Sequence, residues 1–270
     1  MGSEHERART ASDLPFFATF TALSVAYVLL IVALLVADVS YTSFADLLEA
    51  LESEEIRYSI RLSFVSCTIT AILSVWFAIP IGYLMSRYEF RGKALIDGIL
   101  DIPIVLPPMV IGLSLLILFQ TAPGQAVESL IPVTFHVPSV ILAQFAVACA
   151  FAVRSMRITF DQIDPRSEIV ALTLGCNRGM AFRRVALPEA GRGVLSAGTL
   201  AWARALGEFG PILVFSGATR MRTEVLPSTV FLELSVGNIE AAVAVSLLMV
   251  TAAVVVLVIT RMVGMKRRSW

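Results

Sequence analysis

Charge is what this sequence has least of. Only 16% of its 270 residues are Asp, Glu, Lys or Arg, against about a quarter in an ordinary soluble domain. Lysine is nearly missing, with Lys93 and Lys266 alone among the basic residues. Basic and acidic residues balance at 21 each, so no overall positive field points to nucleic acid as a partner. The three cysteines, Cys67, Cys149 and Cys176, are odd in number, far apart and free of CxxC spacing. That excludes a disulfide framework and a clustered metal site, and a free thiol in an apolar run behaves as a small hydrophobe. His5 and His136 are the only histidines, too few for a histidine-ligated redox bundle. Neither GxxxxGK[ST], GxSxG nor HExxH occurs, so the chain does not bind ATP through a P-loop and carries no recognisable hydrolase motif. No catalytic residue, metal ligand or resident cofactor is expected.

What fills the sequence instead is apolar. Hydrophobic residues make up 57% of it, and mean hydropathy is +0.82. A soluble domain of this size could not hide that excess in one core. The composition predicts an integral membrane protein built of helices, each needing about 20 mostly apolar residues to cross the hydrocarbon. Six stretches qualify, at about 15–37, 58–85, 102–119, 138–153, 194–216 and 241–259. The fourth is the shortest and has room to extend a turn into its basic flank. The first is longer than the apolar core of a secretory signal, which favours an uncleaved first helix.

The arginines set the expected orientation. With the N-terminus in the cytoplasm, sixteen basic residues fall inside: Arg7, Arg9, Arg87, Arg91, Lys93, Arg154, Arg157, Arg166, Arg178, Arg183, Arg184, Arg192, Arg261, Lys266, Arg267 and Arg268. Only Arg57, Arg61, Arg220 and Arg222 fall outside. Both termini are therefore placed in the cytoplasm. In the outer connection, Phe44, Leu47, Leu48 and Leu51 repeat at i, i+3, i+4 and i+7. That spacing predicts an amphipathic helix, lying at the membrane surface or over the protein's own outer face.

The stretch from about 154 to 192 is long and organised. Asp164-Pro165-Arg166-Ser167 reads as a helix start, with Ser167 as cap and Glu168 in the first turn. Ile169, Val170, Leu172 and Leu174 follow, and Gly175-Cys176-Asn177 ends that helix, Gly supplying positive φ. A second short helix from about Arg178 carries Met180, Phe182, Val185 and Leu187, with Pro188 expected to end it. Two short helices with apolar tips and a basic rim suit a groove in another protein; a solvated loop on the membrane surface would not need so many large apolar side chains.

Glu168-Ile-Val-Ala-Leu-Thr-Leu-Gly175 followed by Arg183-Arg-Val-Ala-Leu-Pro188 resembles the EAA loop of ABC-importer permeases, with Ile169-Val170 where that pattern prefers two alanines. Asp101-Ile-Pro-Ile-Val-Leu-Pro-Pro108-Met-Val-Ile-Gly112 is similar to the proline-rich third-helix segment of molybdate permeases. Ala203-Arg204-Ala-Leu-Gly-Glu208-Phe-Gly210 is similar to a fifth-helix segment shared by molybdate, tungstate and sulfate permeases. The resemblance covers roughly residues 58–262 and implies the type I ABC-importer permease fold, all-α with six transmembrane helices. It divides the chain into an N-terminal part at 1–57, a permease core at 58–262 with its coupling loop at about 154–192, and a basic tail at 263–270.

The same resemblance implies the partners. They are a second copy of the permease, two cytoplasmic ATPase subunits holding ATP and Mg, and an extracytoplasmic substrate-binding protein, all in or on the lipid bilayer of the cytoplasmic membrane and none of them nucleic acid. Glu168, Gly175, Arg178, Arg183 and Pro188 are then the residues expected to couple to the ATPase. Molybdate or tungstate is the first expected cargo, with sulfate or thiosulfate, phosphonate or ferric iron as alternatives in the same superfamily. An enzyme or a passive channel is the rival of another class, and no polar cluster at a membrane face speaks for the enzyme.

Ionisable groups within a span are functional candidates by default. Arg204 and Glu208, four residues apart on one helical face, can pair as a brace or let Arg204 meet an anion. On the second helix Ser59, Ser63, Ser66, Thr70 and Ser74 line one face, as a close packing seam or as neutral donors along a pathway. Pro103, Pro107 and Pro108 remove three backbone donors and interrupt the third helix, a candidate gate hinge. The expected outer segments sum to −6 and the inner ones to +6. A slightly repulsive outer face favours delivery of an anion by a docked protein over capture from solution.

Overall fold

A computed structural model describes residues 14–266. The sequence readings of a tail before residue 14, and of the tail beyond Lys266, lie outside the described residues. Every regular element among the described residues is helical. They run α1 (Leu14–Ser40), α2 (Phe44–Glu52), α3 (Glu54–Arg87), α4 (Lys93–Val105), α5 (Pro108–Gln120), α6 (Ala122–Leu130), α7 (Val137–Gln162), α8 (Arg166–Thr173) and α9 (Arg178–Ala181). A π-helical turn at Phe182–Ala186 leads to α10 (Leu187–Glu189), then come α11 (Gly191–Leu206), α12 (Gly210–Ser216), α13 (Leu226–Ser235) and α14 (Ile239–Lys266).

Four helices, α1, α3, α7 and α14, are each long and apolar enough to cross a membrane, and the α4–α5 pair makes a fifth candidate. The core is the pairing of α3 with α7, the most extensive contact in the fold, with α11 against both. Small residues allow it: Ser59, Ser63, Ser66, Thr70, Ser74, Ala78 and Gly82 are all buried along α3 at spacings of three and four. The approach is closest at Gly82, where an added Cβ would stand 2.8 Å from Met156 Cβ and 2.9 Å from the Arg157 amide nitrogen. Helix α7 runs well past the expected end at 153, through Arg154 and Arg157 to Gln162. The arginines extend it because they have carboxylate partners on α4.

The other crossing candidates are broken. Helices α4 and α5 meet at 111°, and α5, with 13 residues, is only about 20 Å long at 1.5 Å per residue. The cause is chemical. Pro107 and Pro108 supply no N–H, and Pro107 becomes the cap residue of α5 with Pro108 in its first turn. The second break separates α11 from α12 at Gly207-Glu208-Phe209. The two broken helices pack on each other without space to spare: a Cβ on Gly112 would lie 2.7 Å from Pro211 Cα, and one on Gly210 would lie 3.0 Å from Met109.

Helix α1 touches α14, and none of its most apolar window is buried. The amphipathic helix predicted from Phe44, Leu47, Leu48 and Leu51 forms as α2 and packs over the protein's own α3 and α14. It does so through Ala50, 4% exposed, and the part-buried Leu47, leaving Leu48 and Leu51 facing outward. Helices α6 and α13 sit where the sequence suggested plain connections. Helix α13 is no surface decoration, since Leu226, Ser228, Thr229 and Glu233 are buried.

Candidate functional site

The segment from Arg166 to Glu189 folds as the two short helical pieces that its punctuation predicts. Gly175 has φ +90° with nothing near a would-be Cβ, so backbone conformation alone calls for glycine there. Asn177 caps the second piece, its Oδ1 accepting from the Met180 amide at 2.8 Å. Two expectations are corrected. Ser167 is not the cap of α8, because Pro165 holds that position and the Asp164 carboxylate accepts from the Arg166 amide at 2.9 Å. Pro188 does not end the second helix either. It sits in the first turn of α10, and the π-helical turn before it lets the chain run on toward α11. A proline at a first turn forfeits no intrahelical bond, so the helix tolerates it.

The loop is rooted by one buried cluster. Glu168, 8% exposed, accepts 2.8 Å from Arg87 Nε and 2.6 Å from the Tyr83 hydroxyl. The same guanidinium donates to the carbonyls of Phe160 at 2.8 Å and Ile163 at 3.0 Å. Arg87 thus ties the end of α3, the end of α7 and the start of α8 into one joint. Phe182 closes it from the other side, its ring centroid 4.7 Å from that of Tyr83 and 6.3 Å from that of Phe160. The expected apolar tip therefore belongs to α8 rather than to both pieces, since Phe182 turns inward. Ile169 and Val170 are each 56% exposed and Leu174 is 80% exposed. Arg183 and Pro188 face outward beside them, and Arg178 lies over the Tyr88 ring and donates to its hydroxyl at 3.0 Å. Of the expected coupling residues, Gly175 shapes the turn, Arg178, Arg183 and Pro188 are at the surface, and Glu168 is the root. Sequence reading missed Tyr83 and Arg87. Their four-residue spacing at the basic end of α3 was visible, but nothing local linked them to a glutamate 81 positions away.

The hydroxyl row of α3 is sealed inside the chain. Ser59, Ser63, Ser66 and Thr70 are at most 1% exposed. Ser59 and Ser66 donate back to the carbonyls of Ile56 and Ser63. Ser63 accepts from the Leu226 amide at 2.8 Å, and Thr70 donates to Gln144 Oε1 at 3.2 Å. These contacts make the row a packing seam joining α3 to α7 and α13, which accounts for it without a passage.

Arg204 and Glu208 do pair, at 2.7 Å, and the break after Leu206 places them beside the α5–α12 contact. The pair is lopsided: the Glu208 side chain is 1% exposed and the Arg204 side chain 28%. Arg204 lies 5.5 Å from the centroid of the Phe151 ring. Pro107 and Pro108 stand one helix away, at the bend between α4 and α5. A second charged group, which sequence reading did not single out, pins α4 to α7. Arg154 pairs with Asp101 and, at 3.7 Å, with Asp97, while Arg157 pairs with Asp97.

A broken pair of crossing helices, a rooted loop with an apolar tip and charge pairs set in an apolar bundle belong to a membrane-embedded chain. The family described as "binding-protein-dependent transport system inner membrane component" matches residues 78–269. The chain belongs to that family. It is a multi-pass membrane protein, an inner-membrane component of a transport system. Among its relatives is a probable molybdenum ABC transporter permease of Haloferax volcanii, 34% identical over 82% of this chain and 80% of that one. A molybdate/tungstate transport system permease of Pyrococcus abyssi is 34% identical over 63% of this chain and 65% of that one, just under two thirds of its length. A sulfate transport system permease of Salmonella typhimurium is 28% identical over 90% and 91%. Among solved structures, a bacterial ABC transporter involved in the import of the acidic polysaccharide alginate superposes with TM-score 0.75 at 13% identity, over 94% of this chain and 96% of that one. At that identity the likeness concerns the fold, which is that of an ABC transporter permease.

Proposed function

We propose that this chain is the permease subunit of an ATP-driven importer for an oxyanion, with molybdate or tungstate as its cargo. The observation that carries the reading is the α8 loop, whose root is buried on Arg87 while its apolar tip, Ile169, Val170 and Leu174, is exposed. A surface so held, and so costly to leave in water, suits a partner's groove. We take that partner to be a cytoplasmic ATPase, present in two copies and holding the ATP and Mg. The relatives named for molybdenum, molybdate and tungstate support the cargo. The relative named for sulfate, aligned over nine tenths of the chain, supports sulfate as the second reading.

The rest of the proposal follows the charge pattern. Both termini and the α8 loop lie in the cytoplasm, in keeping with the bias of arginines, and α11 with α12 supplies the sixth crossing. Two copies enclose the pathway between them, and a binding protein delivers the anion to the acidic outer face. ATP binding then biases a near-balanced pair of inward- and outward-facing states. Calorimetry of the cognate binding protein with molybdate, tungstate and sulfate tests the cargo. Binding of molybdate and tungstate but not sulfate is expected, and the reverse establishes the second reading. Co-purification tests the partner: Gly175→Asp, which strains the turn behind the tip, should sharply reduce recovery of the ATPase, and undiminished recovery with full transport overturns the docking role.

A further inference from the structure

The Arg204–Glu208 pair does more than brace a bundle. A brace would bury both partners, whereas here a sealed carboxylate holds a guanidinium 28% exposed at the protomer's surface and against Phe151. Phe151 also lines a cavity of about 550 Å³ between α4, α7 and α11, together with Asp101, Val105, Arg154, Ser155 and Leu200. Arg154, its side chain 44% exposed, is in the wall of this space, and Arg204 lies behind the Phe151 ring that lines it, one helical turn beyond Leu200. Their depths differ. Arg204 is thirteen residues into α11 from Gly191 and Arg154 eight residues from the end of α7 at Gln162, and those two helix ends are joined by the α8 loop. At 1.5 Å per residue that sets them about 20 Å and about 12 Å from the loop end of the bundle.

We propose that this cavity is an anion station of the permeation path, in which Arg204 and then Arg154 hold a tetrahedral oxyanion on its way to the cytoplasm. The inference rests on the oxyanion reading above. A guanidinium offers a planar fork of donors that matches two oxygens of such an anion. A fixed arginine with no competitor would trap a dianion, and a path must release what it binds. Each arginine here has its competitor in place: Glu208 for Arg204, and Asp101 with Asp97 for Arg154. As the anion moves on, the ion pair behind it re-forms, so each cation regains its carboxylate partner. The far wall is α4, which buries none of its residues and is held to α7 by those same ion pairs. It ends at the Leu106–Pro107 bend, so a tilt of α4 opens or narrows the cavity.

The experiment uses the whole transporter, permease with its ATPase and binding protein, in proteoliposomes supplied with molybdate, tungstate or sulfate. In Arg154→Gln, anion taken up per ATP hydrolysed should fall at least about tenfold, and Arg154→Lys, which keeps the charge and loses only the planar fork, should recover to within about threefold of wild type. Asp101→Asn removes one of the two competitors and leaves the cation with Asp97, 3.7 Å away, still placed to displace the anion, and should cost less than about threefold. If Asp101→Asn falls as far as Arg154→Gln, with Arg154→Lys no better, the arginine is only a strut for α4 and the station is overturned. The same holds if Arg154→Gln keeps wild-type coupling. Co-purification of the ATPase with each variant reports assembly. If the wild-type transporter moves none of the three anions, the oxyanion reading itself fails and the station with it.

Discussion

Helix α3 ends in a charged clamp on each side, and the two clamps are built differently. At its C-terminal end a single guanidinium, Arg87, is 9% exposed, meets one carboxylate and also donates to two backbone carbonyls. At its N-terminal end Arg220, 37% exposed, reaches Glu55 of α3 and, at 2.8 Å, Glu233 of α13. Acid exceeds base there, for Glu224 lies fully buried nearby with no hydrogen-bond partner on either oxygen. The first arrangement is a nearly buried joint whose directed donors tie α8 to α3 and to the end of α7. The second is a wet knot, open to rearrangement, at the face proposed to receive the binding protein. Rigidity sits where force would enter and compliance where a partner would dock.

The largest expected effect comes from breaking the joint. Arg87→Ala leaves Glu168 buried without its cation, a change that costs about 3–5 kcal/mol for a buried pair. The α8 loop should lose its fixed pose, and transport should fall below detection. Glu168→Gln keeps the shape and the Tyr83 contact, and should be milder. Thermal unfolding of the detergent-purified permease, read beside uptake, separates loss of fold from loss of coupling. Arg87→Ala with wild-type unfolding and uptake would show that the joint transmits nothing.

A smaller effect is expected at the other end. Arg220 is more than a third exposed, so solvent screens its pairs and each is worth about 1 kcal/mol or less. Arg220→Ala should lower stability only slightly, and the loss should shrink further in high salt. A drop as large as that of Arg87→Ala would erase the contrast between the two ends.

How much of this was legible beforehand follows the range of the interactions. The turn at Gly175, the bend at Pro107–Pro108 and the Arg204–Glu208 pair are local in sequence, and each forms where spacing put it. The long-range partners were invisible. Nothing near Glu168 announces Tyr83 or Arg87, and nothing near Ser63 announces the amide of Leu226, 163 positions away. Pro188 failed as a stop signal for a related reason. The residue permits a first turn as readily as it forbids an interior one, and only the π-helical turn before it decides between the two. Helix α13 was read as a connection because it is only ten residues long and shows no apolar run of membrane length.

Glu224 gives the finest test of the comparison. Burial pushes its carboxyl above the ordinary value of 4.5, with Arg220 pulling the other way. Its nearest candidate donor, the Thr229 hydroxyl, is turned to the Val225 carbonyl at 3.2 Å. A carboxyl whose folded pKa is raised binds its proton more tightly in the fold than in the unfolded chain. Its contribution to stability is therefore complete below pH 4.5 and is lost as pH rises through the folded value. Glutamine in its place cannot ionise, so Glu224→Gln should flatten that slope and raise stability toward neutral pH. Unfolding followed in detergent from about pH 5 to about pH 8 reads both signs at once. A slope the same in variant and wild type would mean that Glu224 is charged and answered by Arg220, which would make the knot as well satisfied as the joint. A flattened slope in Glu224→Gln would place a pH-sensitive carboxyl at the compliant end of α3.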